Sequence, residues 1–156
     1  MYEIDYDLLA KQTLSLCEGG DGSPAFETAC LANVSALIFD ALADVNWAGF
    51  YRLMPDGSLL LGPFQGKPAC MILAAGKGVC QAAVASGRSV VVNDVHAFPG
   101  HIACDSASAS EIVVPLRRSD GILWGVLDID SPVKGRFGEI DRTGLEKIGK
   151  AAETIL

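Results

Sequence analysis

An α+β fold with a central antiparallel sheet of about six strands, flanked by helices, is what the sequence predicts. Apolar residues recur at helical spacing at both ends of the chain, and strand-like runs joined by short turns fill its middle. No repeat, low-complexity tract or linker breaks this order. At 156 residues the chain is long enough to bury a core, and one domain spanning 1–156 is expected.

The leading segment IDYDLLAKQTLSLCEG carries the helical period and stops at Gly19 and Gly20. In GSPAFETACLANVSALIFDAL, Ser23 caps a second helix that has Pro24 at its first position. Cys17 and Cys30 fall inside these helices and read as ordinary buried thiols. After Asn46 the period changes, and WAGFYRLM, the turn PDGS and LLLGPF predict a hairpin. GKPAC is a glycine- and proline-bearing loop, MILAA a short strand, and GKGVCQAAVASG a short helix entered and left through glycines. SVVV and EIVVPLRR are further strands, and RRSDGIL turns the chain into LWGVLDID. The last helix, in GEIDRTGLEKIGKAAETIL, should present Ile140, Leu145, Ile148 and Ala152 as its apolar face.

Composition narrows the function classes. Nineteen acidic against twelve basic residues give a formal charge of -7 without a basic run, which disfavours nucleic acid as a partner. Runs such as ILWGVL are too short to span a bilayer, and the acidic start MYEIDYD is unlike a basic signal peptide, so a cytoplasmic protein with no membrane partner is expected. The five cysteines lack a close CxxC pair, which fits neither a secreted disulfide framework nor a zinc ribbon. A zinc site drawn from His96, His101, Cys70, Cys80 and Cys104 lacks paired ligand spacing, and no metal or cofactor is expected.

Three of those cysteines, Cys70, Cys80 and Cys104, lie in the loop-rich middle. Such a trio suits thiol redox chemistry, in which one thiolate attacks, a second resolves and a third relays, or else consists of three small core residues. Cys104 sits among Asp105, Ser106 and Ser108 in the long connection 93–110, a setting for a solvent-reachable thiol. His101 stands three residues earlier, and a helical turn would place both on one face, where an imidazolium would favour the thiolate. Asp128 and Asp130 are one residue apart on a strand and face the same side, with Glu111 opening a strand that can pair with theirs. Such acids bind a cation, hold a proton, or simply face water at a strand end. Trp47, Gly49 and Tyr51 alternate onto one face as an aromatic wall, suited to methyl and sulfur groups.

Together GKGVC, VNDVHAFPGHIACDSASASEIVVPL and GVLDIDSP resemble the free methionine-(R)-sulfoxide reductase family, stand-alone GAF domains that reduce the free amino acid. The resemblance extends over nearly the whole chain. It implies a GAF-like fold, Cys104 as catalytic cysteine, Cys70 as resolving cysteine and Cys80 as a second recycling thiol. It further implies a pocket lined by Glu111, Asp128 and Asp130, with Trp47 and Tyr51 among the residues that bind free methionine-R-sulfoxide, and thioredoxin as reductant. A homodimer is left open. Gln81 departs from the small residue expected after GVC and bears on the shape around Cys80. Two rivals stand beside this reading: a non-catalytic GAF module that binds a small ligand or senses redox state, and a thiol-based peroxide scavenger. The first has no need of three loop cysteines, and the second has no need of the carboxylates.

Overall fold

The computed structural model describes residues 3–101, 104 and 106–156. Two helices lead, α1 (Tyr6–Cys17) and α2 (Pro24–Ala41), followed by β1 (Trp47–Leu53), β2 (Leu59–Gly66) and the two-residue β3 (Ile72–Leu73). Then come α3 (Val79–Ser86), β4 (Val90–Val92), β5 (Ser110–Arg117), β6 (Leu123–Ser131) and α4 (Glu139–Ala152). The strands form one six-stranded sheet in the order β3-β2-β1-β6-β5-β4, each adjacent pair antiparallel. The expected α+β architecture is the one observed.

Local chemistry sets the helix starts. Asp5 accepts from the Leu8 amide ahead of α1, and Ser23 accepts from the Phe26 amide with Pro24 at the first position of α2. Both helices and α4 pack on one face of the sheet around Leu31, Ile38, Phe50, Ile112, Leu127, Ile129, Leu145 and Ile148. The opposite face carries a second cluster, with Trp47, Tyr51, Val113 and Val126 from the sheet meeting Val79, Cys80 and Ala83 of α3. Residues of the central strands alternate between these two cores, so β1, β5 and β6 are buried on both sides.

Three expectations are corrected. Ile140 is not on the buried face of α4 but 76% exposed, because five residues separate it from Leu145 and a helix turns about 100° per residue, leaving it roughly 140° round from the core. The expected strand over 71–75 shrinks to Ile72–Leu73. Cys17 and Cys30 are buried as read but are disulfide-bonded to each other, with Cα atoms 5.7 Å apart, tying the end of α1 to α2. Ile102, Ala103 and Asp105 lie outside the described residues, as does any helical turn between His101 and Cys104.

Candidate active site

The second core does not close completely. A cavity opens between the sheet, the N-terminal end of α3 and the loops bearing Cys70 and Cys104, and it is lined by Trp47, Tyr51, Cys80, Cys104, Glu111, Asp128 and Asp130 among others. Strand register explains why the acids meet. Trp47, Asp130 and Glu111 are successive cross-strand partners on β1, β6 and β5, and Gly49, Asp128 and Val113 form the next row on the same face. The alternation that puts Asp128 and Asp130 on one side of β6 therefore sets them next to Glu111 from β5, as the sequence expects.

Burial makes this cluster unusual. Glu111 is 7% and Asp128 6% exposed, and Cys80 directs its thiol at Glu111 Oε1 across 3.8 Å. Asp128 Oδ1 has no hydrogen-bond partner among the described residues. Burial, reinforced by the neighbouring aspartates, pushes the Glu111 pKa well above the carboxylate range, and burial raises Asp128 to about 6. The floor of the cavity thus holds exchangeable protons near neutral pH. Cys80 is pushed well above the ordinary thiol range by burial and then by the charges of Asp128, Glu111 and Asp130, which keeps it a thiol rather than a thiolate.

Cys104 lines the cavity as well, and Cys70 lies behind it in the same cluster. They are joined as a disulfide with Cα atoms 5.6 Å apart, both half-buried, while Cys80 is the free cysteine. His101 also lines the cavity, but burial and then the charge of His96 lower its pKa, which disfavours the imidazolium that its place before Cys104 suggests.

The aromatic wall is larger than the sequence reading of it. Trp47 stacks on Tyr51 with centroids 5.8 Å apart and on Phe64 at 5.2 Å. Phe64 lies opposite Gly49 in the β1–β2 register, and a Cβ at Gly49 would collide with both Phe64 and the Trp47 ring. Phe64 escapes strand periodicity because its place depends on pairing. The polar tips of the wall reach the Cys70 segment: Tyr51 Oη donates to the Cys70 carbonyl at 2.8 Å and Trp47 Nε1 to the Lys67 carbonyl at 3.2 Å. The Tyr51 hydroxyl proton is thereby engaged, which leaves its ring and its oxygen as an acceptor to meet a ligand.

Gln81 is buried and donates from Nε2 to the carbonyls of Gly57 and Leu73, at 3.0 and 3.2 Å, tying α3 to the β1–β2 turn and to β3. Its amide substitutes side-chain hydrogen bonds for the close packing of a small residue. Ser108 and Lys77 also line the cavity and were not singled out by sequence as site residues; Asn46 Nδ2 donates to Ser108 Oγ at 3.4 Å. Loop serines and lysines carry no periodic signal.

A GAF domain family model matches residues 29–156. The chain is 54% identical over 128 residues to the free methionine-R-sulfoxide reductase of Escherichia coli, covering 82% of this chain and 76% of that protein. Protein YtsP of Bacillus subtilis is 52% identical over 155 residues, which is 99% of this chain and 92% of its own length. Among solved structures, fRMsr of Staphylococcus aureus in complex with substrate superposes with a TM-score of 0.88 at 48% identity, covering 100% of this chain and 98% of that one. With its six-stranded sheet, acid-floored cavity and these matches along nearly its whole length, the chain belongs to the free methionine-R-sulfoxide reductase family of GAF domains.

Proposed function

We propose that this chain reduces free L-methionine-R-sulfoxide to methionine, with Cys104 as nucleophile, Cys70 as resolving thiol and thioredoxin as the reductant. The observation that carries the reading is that one cavity is lined both by Cys104, which is disulfide-bonded to Cys70, and by the buried acids Glu111 and Asp128. A sulfoxide reduction needs both a nucleophilic sulfur and a proton for the departing oxygen.

The Cys104 thiolate attacks the sulfoxide sulfur, a carboxyl of the acid cluster protonates the oxygen, and methionine leaves as the oxygen passes to Cys104 as a sulfenic acid. The Cys70 thiol then attacks the sulfenic sulfur, expelling water and closing the disulfide. A dithiol reductant returns both cysteines to thiols and leaves as its own disulfide. Glu111, whose pKa burial pushes well above the carboxylate range, suits the donor role, and the remaining acids suit the substrate ammonium. Trp47, backed by Tyr51 and Phe64, gives the methyl group an aromatic face. The buried, protonated Cys80 fits a reserve thiol better than a primary nucleophile.

The test is NADPH consumption by the purified chain with thioredoxin and its reductase, comparing free methionine sulfoxide with hydrogen peroxide. Turnover with the sulfoxide alone is the expected result. Turnover only with peroxide would replace the reading by that of a thiol peroxidase.

A further inference from the structure

Cys80 from α3, Glu111 from β5 and Asp128 from β6 meet under the cavity, each more than nine-tenths buried. One ligand atom from each lies within 4.8 Å of the other two. The Cys80 Sγ to Glu111 Oε1 separation is 3.8 Å, and a tetrahedral zinc with Zn–S near 2.3 Å and Zn–O near 2.0 Å sets its sulfur–oxygen edge at roughly 3.5 Å. The edge needs to contract by only a few tenths of an ångström. Asp128 Oδ1, buried and without a hydrogen-bond partner among the described residues, points independently to a ligand at the same place.

The donor set selects the ion. One thiolate with two carboxylates suits a borderline-soft divalent cation, whereas magnesium and calcium take all-oxygen shells. Three protein ligands leave a fourth position, and here it faces the cavity. We propose that Cys80, Glu111 and Asp128 form a three-ligand site for a divalent cation of the zinc class, and that its occupation keeps the amino-acid substrate out and inhibits the enzyme. The cation replaces the protons of the coordinating groups, which pass to solvent, and no electron is transferred. The inhibition rests on the reductase reading; the binding does not.

The binding test uses the chain with its disulfides closed, where Cys80 is the free thiol. Cadmium is titrated in and its thiolate charge-transfer absorption followed in the ultraviolet. Expected is a saturable band at one equivalent, displaced by zinc, insensitive to magnesium and weakened by excess free methionine. Cys80→Ser should abolish it, and Asp128→Asn should weaken cadmium binding at least about tenfold, with circular dichroism verifying that both variants fold. No band, a full band in Cys80→Ser, or unchanged affinity in folded Asp128→Asn each overturns the site.

The inhibition test is a single turnover of the reduced chain, free of small thiols. Equimolar zinc should slow methionine release at least about tenfold relative to the zinc-free rate, and Cys80→Ser should lose most of that slowing; an unchanged rate, or equal slowing in Cys80→Ser, would overturn the inhibition. A cadmium band on a chain that releases no methionine from its sulfoxide leaves the site standing and sinks the reductase reading. An active chain without the band does the reverse.

Discussion

In the proposed mechanism Cys104 and Cys70 divide the chemistry between attack and resolution, and single substitutions should separate the two. Cys104→Ser is expected to abolish methionine formation with the fold intact, since serine nearly keeps the volume but is a far weaker nucleophile at neutral pH. Cys70→Ser should release about one methionine per enzyme and then stall, because Cys104 is left as a sulfenic acid that nothing resolves efficiently. Quantifying methionine in single and multiple turnover checks both. Undiminished steady-state turnover in the Cys70 variant would hand resolution to Cys80. Asp128 bears on stability as well. Its folded pKa of about 6 lies above its ordinary 3.8, so stability fully present below about pH 4 is lost as pH rises through 6. Asp128→Asn removes that loss. Its melting temperature should match the wild type near pH 4 and exceed it at pH 7.5, by an amount equivalent to on the order of 1–3 kcal/mol. A gap that does not widen with pH would mean that Asp128 carries no such cost.

At the scale of elements, β1 both lines the cavity and holds the Cys70 segment, through Tyr51 and Trp47. Tyr51→Phe deletes one hydrogen bond and keeps the ring. Expected is a fall in steady-state turnover of about fivefold, the rate equivalent of ~1 kcal/mol, with more Cys104 trapped as sulfenic acid by a dione reagent. Unchanged trapping with a raised KM would instead assign the hydroxyl to substrate. Much of this scale was legible in the chain. The Ser23–Pro24 start of α2, the hairpin after Asn46 and the shared face of Asp128 and Asp130 all follow from local periods and caps. What escaped depends on pairing between distant segments: Phe64 over Gly49, Gln81 reaching Gly57 and Leu73, and the Cys17–Cys30 disulfide. Ile140 falls outside the apolar face because the helix angle carries it away from Leu145, which its apolar character alone does not reveal.

For the molecule as a whole, a sheet buried on both faces lets one side serve as a conventional core while the other surrounds a small cavity that carries buried acids. No described helix is long and apolar enough to cross a membrane. That Asp128 and Asp130 share a face was legible from strand alternation, but the burial and raised pKa values of Glu111 and Asp128 required α3 and the loops beside it to pack over them. A small, acid-bearing site of this kind should select by size and charge. Blocking the substrate amine removes a cation, adds bulk and strands an acid, and a buried group left unpaired costs on the order of 1–3 kcal/mol. The most direct measurement is kcat/KM for free L-methionine-R-sulfoxide against its N-acetyl form, with thioredoxin as reductant. The account predicts at least about a hundredfold preference for the free amino acid, a gap of roughly 2.7 kcal/mol in transition-state binding. Comparable values for the two substrates would contradict it.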